Sequence, residues 1–132
     1  MTATNPVHTE ANAVPPVDDT EVGGLLDDLA GIHPGIDLIR DGIRLITTSR
    51  LTTDQTQTLI AALAGATDGT NVVNLLGQTI ARLTNPDTNP CLRALPLDQQ
   101  KTVQLAGETT AFHLADDQLA QFASDTSAAI TG

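Results

Sequence analysis

The chain has 132 residues, 40% of them hydrophobic but only 2% aromatic, with no Trp and no Tyr, and its 16 acidic side chains outnumber 6 basic ones to leave a net charge of −10. That balance repels phosphate backbones and anionic lipid surfaces, and the missing aromatics remove the platforms on which single-stranded bases stack. Nucleic-acid binding and membrane binding are therefore not expected, and no apolar stretch approaches the length of a membrane span.

Residues 1–18 mix Thr, Asn, Ala and Pro without a period, so a disordered N-terminal tail is expected there. Met1 to Thr20 carries neither a basic run nor an apolar stretch of the kind a secretory leader needs, and a cytoplasmic location is the expectation. Residues 19–132 are expected to form a single helical domain. Its first helix, at about 20–30, follows the capping run Asp18-Asp19-Thr20, and Val22, Leu25, Leu26 and Leu29 form one apolar stripe. Gly23-Gly24 weakens that helix, by roughly 1 kcal/mol per glycine relative to alanine.

After the break Gly31-Ile32-His33-Pro34-Gly35, a second helix is predicted over 35–48. Ile36, Ile39, Ile43 and Ile46 make its expected buried stripe, with Asp37, Arg40, Asp41 and Arg44 on the other side. A strand over Ile43 to Thr48 is the competing reading, since that segment alternates and is β-branched. A third helix is predicted over 53–65, with Leu59, Ile60 and Leu63 inward and Gly65 as C-cap. A fourth follows the turn Asp68-Gly69-Thr70 and spans 70–84, with Val72, Val73, Leu76, Ile80 and Leu83 on one stripe, before Asn85-Pro86 ends it. Asn85 to Ala94 reads as a linker. A fifth helix starts near Leu97 and either runs to Leu114 or breaks at Gly107. A sixth, over 116–130, is expected to bury Leu119, Phe122, Ala123 and Ile130. The fold class expected is all-α, an irregular bundle of five to six short helices.

Three of these starts share a pattern: Leu51-Thr52-Thr53-Asp54-Gln55, Leu95-Pro96-Leu97-Asp98-Gln99 and Leu114-Ala115-Asp116-Asp117-Gln118. The first backbone N–H groups of a helix lack partners, and Thr, Asp or a first-turn carboxylate satisfies them and the positive end of the dipole. Thr52 with Gln55 fits the capping box, and Pro96 is tolerated where its missing N–H removes nothing. The uneven spacing excludes a solenoid repeat.

Candidates for chemistry are few. His8, His33, His113 and Cys91 lie at no metal-ligand spacing from one another, and a lone cysteine forms no internal disulfide. His113 with Asp116 has the outline of a base held by a carboxylate, but the preferred reading is a histidine at one helix end beside the next helix's cap. Ser49, Ser124 and Ser127 sit in no nucleophile motif. No catalytic set, metal or cofactor is expected. The function expected is a small acidic helical module that binds another protein or itself, without catalysis. Its expected contact residues are the strip Arg40, Arg44 and Arg50, and Asn89, Cys91 and Arg93 in the linker. One alternative is an acidic inhibitor or nucleic-acid mimic presenting Asp27, Asp28, Asp37, Asp41, Asp116, Asp117 and Asp125 to a basic groove. A second is a helix-turn-helix regulator over 53–84, whose second helix has Arg82 as its only cation.

Overall fold

A computed structural model describes residues 13–130, which are all-α, with no strand among them. Most of the expected tail, residues 1–12, lies outside the described residues, as does His8. The chain falls into two compact units, divided between Leu51 and Thr52.

The first unit holds α1 (Glu21–Asp28) and α2 (Pro34–Thr48). Thr20 caps α1, its side chain accepting from Gly23 N. Val17 is buried beneath this turn, and its carbonyl oxygen accepts from Thr20 N and Oγ1 at 3.0 and 2.6 Å. Gly23 is required by that approach: a Cβ there would fall 2.1 Å from the Val17 oxygen. Of the expected α1 stripe only Leu26 is buried; Val22, Leu25 and Leu29 are exposed. Gly31 then turns the chain at φ +75°, a conformation that costs glycine little.

Helix α2 forms through Thr48, so the strand reading of Ile43 to Thr48 gives way to the longer 3.6-residue period. His33 is its N-cap, Nδ1 accepting from Gly35 N at 2.9 Å, and Pro34 fills the first helical position. The inner face differs from the expected one. Ile36, Ile43 and Ile46 are half-buried, but Ile39 is exposed, and Arg40 and Arg44 lie half-buried where solvent was expected. The reason is local hydrogen bonding. Arg40 Nε donates to the Leu26 carbonyl in the last turn of α1, and its guanidinium pairs with Asp37 at 3.2 Å. The same Asp37 oxygen accepts from Gly31 N at 3.0 Å. Satisfying the Leu26 carbonyl draws the Arg40 side of α2 toward α1, while Leu38 and Leu45 lie outside.

The second unit is an irregular bundle. Helix α3 (Thr53–Ile60) opens on the predicted capping box, with Thr52 Oγ1 accepting from Gln55 N at 3.1 Å and Gln55 Oε1 accepting from Thr52 N at 3.0 Å. It continues as a π-type turn, Ala61–Gly65, then reverses at Gly69 into α4 (Val72–Leu83), which Asn71 caps. Gly65 is buried rather than a left-handed cap: a Cβ there would stand 3.0 Å from Ser124 N. A short 3-10 turn, Pro90–Ala94, occupies the expected linker. Helix α5 (Leu97–Leu114) runs unbroken through Gly107, and α6 (Asp117–Ala129) follows the Asp116 cap.

Helix α4 packs on α5, and α6 packs on α3 and the π-type turn. Small residues set both approaches. Gly77 faces Ala111 and Leu114, and Gly107 faces Thr84. Helix α6 presents Ala120, Ala123, Ser124 and Ser127 inward, while Phe122 is 61% exposed and Leu119 is exposed, contrary to the expectation for both. Backbone contact with Gly65 leaves no room on that side for a phenyl ring. Polar bonds complete the join: Gln57 Nε2 donates to the Ser127 carbonyl at 3.0 Å and to the Ile130 carbonyl, and Ser127 Oγ donates to the Gln57 carbonyl at 3.0 Å.

Candidate interaction surface

Helix α5 is apolar on two stripes. The first is internal: Val103, Gly107, Ala111 and Leu114 lie against α4, with Gly107 and Ala111 buried. The second is external. Leu97, Leu105 and Phe112 are 73%, 65% and 75% exposed. At 3.6 residues per turn these three fall within an arc of about 80°, roughly a third of a turn round from the internal stripe. Lys101 and Glu108 lie inside the same arc, and both are exposed. A surface helix that packs on one side ordinarily carries one apolar stripe, and α5 carries a second that nothing among the described residues covers. Edge-on packing of Phe112 against His113, ring centres 5.7 Å apart, covers little of the phenyl face.

Pattern reading missed this ridge because it looked for one stripe per helix. The signal was present in the spacing: Leu97, Leu105 and Phe112 recur at eight and seven residues, which keeps them on one side.

Of the residues expected to form a contact surface, Arg40, Arg44, Asn89 and Arg93 make bonds within their own units. Arg40 joins α2 to α1, and Arg44 lies 3.6 Å from Asp18. Arg50 is exposed just beyond α2. Asn89 Nδ2 donates to the Leu83 carbonyl at 2.8 Å, closing the end of α4. Cys91 is exposed, its thiol donating to Asn89 Oδ1 at 3.3 Å. Arg93 reaches back to the carbonyls of Pro86 and Asp87 at 2.8 and 3.2 Å. The linker is thus stitched to the end of α4 by its own side chains.

The chemical candidates are placed as caps and ends. His33 caps α2, and His113 is exposed in the last turn of α5. The Asp116 carboxylate accepts from Gln118 N at 2.8 Å, as a helix cap. Asp125 accepts from Gln121 Nε2 at 2.8 Å, and Asp37 is spent on Arg40 and Gly31. Among the described residues no group of three or more His, Cys, Asp or Glu is positioned to hold a metal ion.

Two recesses flank the start of α4. One, of about 40 Å³, lies between the 66–71 turn and the α5–α6 junction. Asn74 lines it, donating through Nδ2 to the Gly69 carbonyl at 2.8 Å, while its buried Oδ1 has no hydrogen-bond partner. The other is a shallow, mainly apolar groove of about 480 Å³ along Val72, Leu75 and Gln78. The outward side of α4 also exposes Leu75, Leu76 and Leu83, with Arg82 as its one cation. No helix of the described residues is long and apolar enough to cross a membrane. Comparison with protein-family models, with curated proteins and with solved structures finds no match.

Proposed function

We propose that this chain is a protein–protein interaction module that works through the outward ridge of α5, without catalysis of its own. The observation that carries the reading is the ridge itself. Leu97, Leu105 and Phe112 are held on one outward arc of a regular 18-residue helix, with the exposed Lys101 and Glu108 between them. A single exposed leucine needs no explanation; three large apolar side chains aligned on one outward arc are the stronger mark of a contact surface. Covering it removes apolar surface from water at about 25 cal/mol per Å². Arg40, Arg44, Asn89 and Arg93 already make bonds within their own unit, which leaves the α5 ridge as the surface this reading favours.

The helix-turn-helix alternative draws less support, because the outward side of α4 is aliphatic where phosphate-anchoring Lys or Arg would be needed. The acidic-mimic alternative also draws less, since Asp37 and Asp116 are engaged in an ion pair and a cap.

Light scattering of the purified chain, together with capture from the native host, tests the reading with the wild type beside Leu105→Asp/Phe112→Asp. Both positions are exposed, so the variant keeps its helix content by circular dichroism. An assembly, with itself or with another protein, that forms with the wild type and is lost in the variant supports the proposal. An identical elution mass and capture profile for both proteins counts against it.

A further inference from the structure

The ridge of α5 is self-complementary in an antiparallel sense. Its positions are Leu97, Lys101, Leu105, Glu108 and Phe112. Turn a second copy of α5 end for end about a two-fold axis set between Gln104 and Leu105. Leu97 then stands opposite the second copy's Phe112, Lys101 opposite its Glu108, and the two Leu105 side chains flank the axis on the same side. Symmetry repeats each contact, so one arrangement yields two apolar crossings and two opposite-charge pairs. A two-fold interface must match itself in this way: where one residue meets another, the second meets the first.

The charges make the pattern specific. Lys101 is the single lysine of a chain with net charge −10, and it lies on the ridge. Glu108 is one of only three glutamates, since the chain's acids are mainly aspartates, and it shares the arc with Lys101. Within one chain the two are seven residues apart, about 10 Å along the axis at 1.5 Å per residue, too far to pair with each other. Glu108 is oriented beforehand by Gln104, whose Nε2 donates to its Oε1 at 3.1 Å. Lys101 has no ion pair among the described residues. The cation and anion neutralise the ridge locally, which lowers the repulsion that two strongly acidic chains would otherwise meet, and the remaining charge is screened beyond roughly 8 Å at physiological salt. A parallel pairing would set Lys101 against Lys101 and Glu108 against Glu108, so charge also selects the direction.

From this we infer that the partner covering the ridge is a second copy of the chain, joined through antiparallel α5 helices with Lys101 of each facing Glu108 of the other. The inference rests on the reading of α5 as an interaction surface and names its occupant. Leu38 and Leu45 make a similar but shorter exposed line on α2, and it has no cation and anion placed to match under a two-fold.

Sedimentation equilibrium of the full chain tests it, with the variants Lys101→Glu, Glu108→Lys, the double reversal K101E/E108K, and Leu105→Asp. All three positions are exposed, and circular dichroism checks that each variant keeps its helices. The wild type is expected to dimerise. Each single reversal sets two like-charge pairs face to face and is expected to raise the dissociation constant about tenfold or more. The double reversal restores both pairs and is expected to return it to within roughly threefold of wild type, while Leu105→Asp gives a monomer. Rescue by the double reversal is the decisive result, because a general loss of solubility or fold would not be undone by a second charge change. A wild-type monomer, or a dimer indifferent to these substitutions, overturns the inference. If that monomer still captures another protein through Leu105 and Phe112, the interaction reading survives and only the second copy is lost. If it captures nothing, both fall.

Discussion

Gly107 and Thr84 meet so closely that a Cβ on the glycine would lie 1.7 Å from Thr84 Oγ1 and 2.6 Å from its Cβ. Thr84 cannot move aside freely, because its hydroxyl donates to the Ile80 carbonyl at 2.9 Å and closes the end of α4. This contact fixes how near α4 comes to α5, and so which face of α5 is turned outward.

In a solvent-exposed helix, Gly→Ala gains about 1 kcal/mol. At position 107 the overlap reverses the sign. Gly107→Ala is expected to lower the urea midpoint, with overpacking costs of about 1–3 kcal/mol outweighing the propensity gain. Thr84→Gly removes the atoms met by the new methyl, so the pair G107A/T84G is expected to be more stable than G107A alone. Equal midpoints for these two variants would contradict the contact.

His33 caps α2, its Nδ1 accepting from Gly35 N. His33→Ala is expected to cost about 1 kcal/mol in chemical denaturation, in the usual range for a lost N-cap, whereas His33→Asn keeps an acceptor and most of the stability. The check is the difference between the two variants, with α2 helicity followed by circular dichroism.

Arg40, Asp37 and the carbonyl of Leu26 form one tie between α1 and α2. Arg40→Met keeps the aliphatic stem and removes the donors. A loss of about 1–2 kcal/mol is expected, more than a solvent-exposed ion pair contributes, since the guanidinium also satisfies a helix-end carbonyl. The double-mutant cycle with Asp37→Ala is expected to be non-additive.

Gln57 holds the last turn of α6 through two carbonyls, and Ser127 returns a bond to it. Gln57→Ala is expected to raise amide hydrogen exchange at residues 126–130 while leaving α4 and α5 protected. Uniform loss of protection across the unit would mean that these bonds do not act locally.

Much of the fold was legible because helix boundaries are local. Thr52-Gln55, Asn85-Pro86 and Asp116 are each explained within one turn of chain, and the structure begins or ends helices beside all three. Facing was less legible, because it is settled by partners far away in sequence. Hydrophobicity alone turned Phe122 inward, but the Gly65 backbone accepts only Ala123 and Ser124 at that crossing. It also turned Arg40 outward, whereas an unsatisfied carbonyl at Leu26 draws it in. The ridge of α5 was hidden for a related reason: two apolar stripes on one helix cancel in any search for a single one. The division between Leu51 and Thr52 leaves no compositional mark, since Ser49 to Thr53 reads as an ordinary cap.

The two phenylalanines of the chain supply their own control for the central claim, since Phe112 is on the ridge of α5 and Phe122 on the outward side of α6. Hydroxyl-radical labelling of both, read by mass spectrometry from dilute to concentrated protein and in extract of the native host, measures directly whether the ridge becomes covered. Protection of Phe112 that grows with assembly while Phe122 stays labelled is the predicted result; equal labelling of the two rings under every condition would contradict it.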